Sequence, residues 1–514
     1  MISETDVIVI GSGFGGAISA ANIAEAGLTV KILERGPWRD SLPNASLNIP
    51  NRVPFPTKGW DFWTKTVRTI RNNKLPGGSI TLNKNGFYEA FIGKGLNIVC
   101  SSNVGGGSHA YGGLTTLPPE AGYWDNITCN LSDKIMSEHY GTVFNRMGSS
   151  VPDDKHSPLS IRKRFAYSDS IQSDIEVGNI QMGFLLPKCA DNSKEIVTKD
   201  GISRWEMSPG EGSILGSPKG GKTSLDVAYL HRAMKHGLEI LDQQEVLSIR
   251  RSTKKGQAKY CVKVENHHTG DFEEHYANHV IVAAGTLNTL RLLLHSRDGK
   301  KGLGGMPQLG LRFSGNGDYL GYWDLADKHH DMTQGLPVNG YLRLKTQSNE
   351  NETAQPLMGD LSFPSPDKLH LPSWFANKMR QGTIVAGMGV DAMDGIFSLK
   401  KGKLNINYNP DNSPIFSEIR EKMDRIAEVT SKPIFSLKRP TTVHPLGGAC
   451  IGSDINKGVI DDKGEVFDHP GLYVADAAAL PKPVGGPPSM TIAAWANHVS
   501  EQLIIKLKDK KKPS

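Results

Sequence analysis

The sequence predicts an α/β fold: a doubly wound sheet with a second, α+β domain on a mixed sheet inserted into it in pieces. Three observations predict it. Val7-Ile8-Val9-Ile10 is a continuous apolar run, as a strand buried on both faces requires. Gly11-Ser12-Gly13-Phe14-Gly15-Gly16 breaks that run and opens a small-residue helix to about Gly27, after which Thr29 to Leu33 returns as a second strand. Two later stretches, His279 to Gly285 and Gly471 to Asp476, have the same buried-strand texture.

The other elements follow in order. Tyr260-Cys261-Val262-Lys263-Val264 alternates, and the turn from His267 to Asp271 reads as a hairpin. Residues 41–90, 125–215 and 310–435 are rich in Pro, Asn, Asp and Ser with scattered aromatics, and they read as the inserted domain. The first domain is then assembled from 1–40, 91–124, 216–309 and 436–514. No internal repeat is visible, and the basic run from Lys506 to Lys512 reads as a solvated terminus.

At 514 residues the chain is too long for one ordinary core and suits two joined domains. Hydrophobic residues at 38% and charged residues at 22%, with 56 glycines and 30 prolines, exclude disorder, collagen and coiled coil. A net charge of +6 is small for this length, so nucleic acid is not an expected partner. The five cysteines, Cys100, Cys129, Cys189, Cys261 and Cys450, are an odd number without a C-x-x-C pair. That argues against a disulfide framework or a thiolate zinc site, and it fits a reducing compartment with no bound metal. Met1 to Asp6 carries no basic n-region, and no apolar run approaches the length of a membrane span. The expectation is a cytoplasmic protein with no transmembrane segment.

Gly11-x-Gly13-x-x-Gly16 follows a strand and opens a helix, the context that a Rossmann-like dinucleotide fingerprint needs. The glycines let the backbone approach a pyrophosphate held at the helix N-terminus. Glu34 ends the second strand, where an acid accepts hydrogen bonds from a ribose diol and repels a 2′-phosphate, so FAD or NAD is favoured over NADP. Val104-Gly105-Gly106-Gly107-Ser108 is a second stretch without side-chain bulk, suited to backbone passing close to a flat ring or a phosphate. Near the C-terminus, Gly485-Gly486-Pro487-Pro488-Ser489-Met490-Thr491 leads into an apolar helix whose free N–H end could stabilise charge on a reduced flavin.

These motifs, together with His444-Pro445-Leu446-Gly447-Gly448, Leu472-Tyr473-Val474-Ala475-Asp476 and Lys222-Thr223-Ser224-Leu225-Asp226, resemble the glucose–methanol–choline (GMC) oxidoreductases, in particular the non-covalent, FAD-containing bacterial cholesterol oxidases. The resemblance runs along nearly the whole chain in order and is loosest in the insertions. It implies an FAD-binding domain and hydride transfer from an alcohol carbon to the flavin. Cofactor contacts are then expected from Gly11, Gly13, Phe14, Gly15, Gly16 and Arg35, with Glu34 on the adenosine ribose and Val246 near the adenine. Val104, Gly105, Gly107, Ser108 and Gly112 would lie along the flavin and ribityl chain. Ala284, Gly285, Asp476, Ala477, Pro488 and Met490 would complete the cradle, with Asp476 on the ribityl or pyrophosphate portion.

His444 matches the family's active-site histidine, and an imidazole can take a hydroxyl proton near neutral pH. Two positions depart from the family pattern. The second polar residue expected before the helix-starting proline is Pro487, which has no side-chain donor or acceptor. An asparagine expected after the glycine-rich stretch is Tyr111, whose phenol could bond flavin or substrate, or simply pack. Asp360 falls near the place of a glutamate base, and His109 lies one position from a covalent flavin link seen in some members. Trp60, Phe62 and Trp63 could line an apolar entrance or form a satellite core, and the pairs His267-His268 and His329-His330 read as surface turns.

The function expected is FAD-dependent oxidation of a small-molecule alcohol, a sterol or other bulky apolar alcohol first, with oxygen or another electron acceptor. The alternatives are a flavin-containing lyase or isomerase, a quinone- or carrier-linked dehydrogenase, and a cofactor-binding protein without turnover.

Overall fold

The computed structural model describes residues 5–153, 155–156, 175–188, 192–208, 210–252, 258–344 and 356–511; Cys189 lies outside them. Its central sheet sets Glu239–Leu241, Val30–Leu33, Thr5–Ile10, the second half of Phe272–Val282 and Leu472–Val474 side by side, all parallel. Ile10, Leu33, Val282 and Val474 lie level in register, so the residues that follow them emerge along one edge. The first half of Phe272–Val282 turns away and pairs antiparallel with Tyr260–Asn266, which pairs antiparallel with Gln244–Arg251. The hairpin expected at 267–271 is the turn of this meander.

Small residues decide how the first helix, Phe14–Glu25, sits. Gly15, Gly16, Ala17, Ala20 and Ala21 are all buried, which lets the helix lie between the sheet and the C-terminal helix Ser489–Lys511. The C-terminal helix also packs on Asp133–Met147, and Trp495 stacks on Trp124 with ring centroids 6.0 Å apart.

A second sheet of six strands runs in the order Ile434–Ser436, Tyr319–Trp323, Thr383–Met388, Leu357–Leu361, Val338–Leu344 and Ile175–Gly178. Every pairing in it is antiparallel. Helix Ile415–Thr430 packs on it, burying Ile415, Phe416, Ile419, Met423 and Ile426 at helical spacing. The mixed pairing expected of the inserted region occurs instead in a five-stranded sheet. There Val67–Arg71 runs parallel to Tyr88–Ile92, Asn97–Ser101 runs antiparallel to Tyr88–Ile92, and Thr441–Thr442 is parallel to Asn97–Ser101. This sheet joins the two larger ones. No described helix is long and apolar enough to cross a membrane.

Candidate active site

The glycine turn is built by close approach. A Cβ at Gly16 would lie 1.9 Å from the Gly11 carbonyl oxygen, and one at Gly106 would lie 2.5 Å from Gly13 Cα. The two glycine stretches therefore touch backbone to backbone, and Ser12 ties them together. Its Oγ donates to Glu34 Oε2 (2.7 Å) and accepts from Gly105 N (3.1 Å). Beside this contact a cavity of about 450 Å³ opens at the carboxyl ends of the central strands. Gly11 to Gly13, Glu34 and Arg35, Val246, Ala284 and Gly285 line it on one side, with Gly106 and Gly107 on another.

The chemistry of this cavity fits FAD. Cβ atoms built at Gly107 and Gly285 would meet nothing within 4 Å, so these glycines leave room that a side chain would fill. The helix Phe14–Glu25 begins at Gly13 with no side-chain cap and no acidic residue in its first turn, so its N–H groups remain for a pyrophosphate. Glu34 accepts from Ser12 N (2.9 Å), Ser12 Oγ and Gly36 N (2.7 Å), which leaves lone-pair capacity for a ribose hydroxyl. Burial raises the Glu34 pKa, against the pull of those bonds. Asp476 is buried where the strands end. It accepts from Gly285 N (2.8 Å), Thr289 Oγ1 (2.5 Å) and Ala478 N (3.0 Å), and burial pushes its pKa up to about 6.

Arg35 lines the cavity and is anchored by its neighbours. Its Nη2 donates to Glu89 (2.6 Å) and to Ser102 Oγ (2.5 Å), and Arg71 also donates to Glu89. Burial would raise the Glu89 pKa, but Arg35 and Arg71 outweigh it and hold it at about 2. Glu245 is held low in the same way, among Arg35, Arg291, Arg68 and His267. His267 is consequently no surface residue: its side chain is 1% exposed, with Nε2 3.3 Å from Glu245. The strand pairing that carries Glu89 and Arg71 brings these charges together, and the turn signal at 267–271 had no access to it.

A second cluster, which includes the histidine singled out in the sequence, is held by one turn, Ser314 to Asp318. Asp318 is buried and accepts from His444 Nδ1 (2.9 Å), Thr442 Oγ1 (2.8 Å) and Val443 N (3.1 Å). Thr442 Oγ1 accepts in turn from His444 N (2.8 Å), which closes the ring. A carboxylate only accepts, so Nδ1 carries the imidazole proton and Nε2 presents its lone pair. Two residues earlier, Asn316 sits at φ 57° and binds the loop before Pro487 through both ends of its amide. Its Oδ1 accepts from Val484 N and Gly485 N, and its Nδ2 donates to Gly486 O. Thr286, at the start of the helix that follows Gly285, donates to Pro445 O (2.7 Å) and joins this cluster to the cavity.

The remaining expected residues fall in three groups. Phe14, Gly15, Gly16, Val104, Ser108, Ala477, Pro488 and Met490 are buried behind the cavity as its packing. Gly105 and Gly112 allow close passage, the first beside His109 Nε2 and the second beside Val338. Tyr111 and Asp360 face other partners. The Tyr111 hydroxyl donates to Thr223 O (2.5 Å), and its ring packs edge-on against Phe14. Asp360 is buried in the six-stranded sheet and accepts from Asn339 (3.1 Å). His109 Nε2 is taken up by Val104 O (2.8 Å), and its ring lies against Phe55. Phe62 packs in a satellite cluster, whereas Trp60 and Trp63 are exposed. His268 contacts Asp242, and His329 and His330 are exposed, His330 beside Asp327.

Sequence reasoning missed Ser12, Asp318 and Asn316. Gly315-Asn316-Gly317-Asp318 does carry a turn signal, but nothing in it points to residues 444 and 486.

A doubly wound sheet with a glycine-floored cavity beside a buried acid at its carboxyl edge defines a dinucleotide-binding protein. The chain belongs to the GMC oxidoreductase family, whose N-terminal profile matches residues 8–314 and whose C-terminal profile matches residues 375–496. It is 25% identical to the cholesterol oxidase of Mycobacterium tuberculosis, covering 97% of this chain and 91% of that protein. It is 21% identical to long-chain-alcohol oxidase FAO4B of Arabidopsis thaliana, over 99% of this chain and 68% of that one. The solved structure of Aspergillus oryzae formate oxidase, from a study of FAD modification, shares the fold with a TM-score of 0.63 at 13% identity, covering 99% of each chain. The protein is thus an FAD-dependent enzyme, with a small-molecule substrate and an electron acceptor.

Proposed function

We propose that the enzyme oxidises a bulky apolar alcohol, a sterol or a long-chain alcohol, to its carbonyl, with His444 as the base. The observation that carries this reading is the His444–Asp318 pair, 2.9 Å apart, beside the loop that ends in Pro487. His444 Nε2 takes the hydroxyl proton while the adjacent carbon gives up its hydrogen with the bonding pair. Asp318 holds the ring in one tautomer and stabilises the imidazolium as it forms. Pro487 supplies no second donor, so Asp318 compensates through the histidine for a lost grip on the alcohol oxygen. Asn316 fixes the loop on that side. FAD, when bound, supplies the acceptor for the two electrons.

An apolar, methionine-rich cluster supports the substrate class. Met182, Phe184, Met207, Val338, Leu357 and Met388 are buried together, and Val338 and Leu357 reach Gly112 and Gly486. Methionines repack readily around a large ligand. Cholesterol and long-chain alcohols are also what the named relatives oxidise.

The test is anaerobic mixing of the holoenzyme with sterols, with long-chain alcohols and with small polar alcohols. Lasting bleaching of the flavin by either apolar class, and not by the polar one, is expected. Bleaching by small polar alcohols alone overturns the substrate class, and bleaching by none overturns alcohol oxidation in favour of a lyase, an isomerase or a protein without turnover.

A further inference from the structure

The segment Lys222-Thr223-Ser224-Leu225-Asp226 runs beneath the second glycine turn and grips it repeatedly. Lys222 Nζ donates to the carbonyls of His109 (2.9 Å), Tyr111 (2.8 Å) and Ser213 (3.0 Å). Leu225 N donates to Ser108 Oγ (3.0 Å), which itself donates to Gly105 O (2.7 Å). The Tyr111 hydroxyl returns the contact to Thr223 O, and Asp226 lies 3.8 Å from His109 Nε2.

Lys222 is 1% exposed, and its three partners are neutral carbonyls. An ammonium has three N–H donors, so these three acceptors satisfy it fully, whereas a neutral amine would aim its lone pair at a carbonyl oxygen. Burial works the other way and pulls its pKa down to about 7. Asp226, the nearest acid of the segment, is engaged by Ser224 and lies between His109 and Arg204. The charge on Lys222 is therefore solvated by the backbone of the turn itself and is not cancelled there. Buried charge of this kind acts over longer range than charge in water.

We propose that Lys222 is a positioning residue for the cofactor. It sets the course of the Gly105–Tyr111 turn along the flavin, and its unneutralised charge favours the reduced, more negative flavin. This rests on the placement of the flavin end of FAD along Gly106 and Gly107, which line the cavity; it needs neither the role of His444 nor the identity of the alcohol.

The experiment compares wild-type, Lys222→Met and Lys222→Arg proteins. FAD affinity is read by titrating the apoprotein and following flavin fluorescence, and the midpoint potential by equilibration with a reference dye. Lys222→Met should bind FAD at least 10-fold more weakly and show a more negative potential, and Lys222→Arg should recover the potential because the charge returns. A potential unchanged in Lys222→Met, or equally negative in Lys222→Arg, overturns the electrostatic role, and an unchanged affinity overturns the positioning role. If Lys222→Met does not fold, Lys222→Gln, which keeps two donors without the charge, takes its place in the same readings. Failure of both to fold overturns the proposal, since Lys222 would then serve the fold alone.

Discussion

The glycine-turn end and the His444 end of this candidate site are built on opposite plans. At the glycine-turn end one strand, one turn, one helix and one more strand carry Gly11 to Gly16 and Glu34, and neighbours in sequence are neighbours in space. At the His444 end Asp318, His444 and the loop before Pro487 come from three distant segments, joined by bonds from side chains. The first plan tolerates little change in shape, because its contacts are between backbones. The second tolerates change in shape and depends on particular functional groups.

That difference orders the expected effects of substitution. Gly106→Ala should do the most damage, abolishing FAD binding and lowering the melting temperature. Its Cβ would collide with Gly13 Cα, and its φ of +53° disfavours any side chain. Calorimetry with an FAD titration checks both effects, and a protein that still binds FAD tightly would break the close-approach account. His444→Ala should keep its FAD and its fold, yet slow flavin reduction by about 10²-fold or more, the usual range for a positioned acid or base. Loss of FAD in that variant would return His444 to a structural role.

Gly107→Ala sharpens the contrast within one turn. Its Cβ meets nothing in the protein, so the melting temperature of the apoprotein should hold while FAD affinity falls by about tenfold, which is about 1.4 kcal/mol and within the cost of about 1–3 kcal/mol for overpacking a filled site. The smallest effect belongs to Tyr111→Phe. Its hydroxyl bonds Thr223 O, so its loss should cost about 1 kcal/mol of stability and leave the rate of flavin reduction unchanged. A slowed rate would give Tyr111 the contact with substrate or flavin that the sequence left open.

The same difference explains what could be read from the sequence. Gly11, Gly13, Gly16 and Glu34 obey a local spacing rule that follows from strand and helix geometry, so the cofactor fold was legible. His444 and Asp476 were legible only through resemblance to a family. Asp318 and Asn316 were not legible, because a carboxylate directly after an Asn-Gly pair looks like turn chemistry until the chain has folded. The burial of His267 was lost for a related reason: it depends on Glu245 from the adjoining strand and on Arg68 from the five-stranded sheet, both brought against the hairpin only in the fold. The mixed sheet expected of the inserted region is there, in the five strands around Tyr88–Ile92, but strand direction in the six-stranded sheet had no local signal because long insertions separate its strands.

The central claim is that Asp318 completes a single-histidine site that lacks a second donor at position 487. The direct measurement is the anaerobic single-turnover rate of flavin reduction in Asp318→Asn, at matched FAD content and with an alcohol that bleaches the wild type. Asparagine keeps the size and can still accept from Thr442 and Val443, but it cannot hold the imidazolium with a charge. A fall of about 10²-fold or more with FAD fully retained is the predicted result. A wild-type rate in Asp318→Asn would contradict the account and leave His444 acting without it.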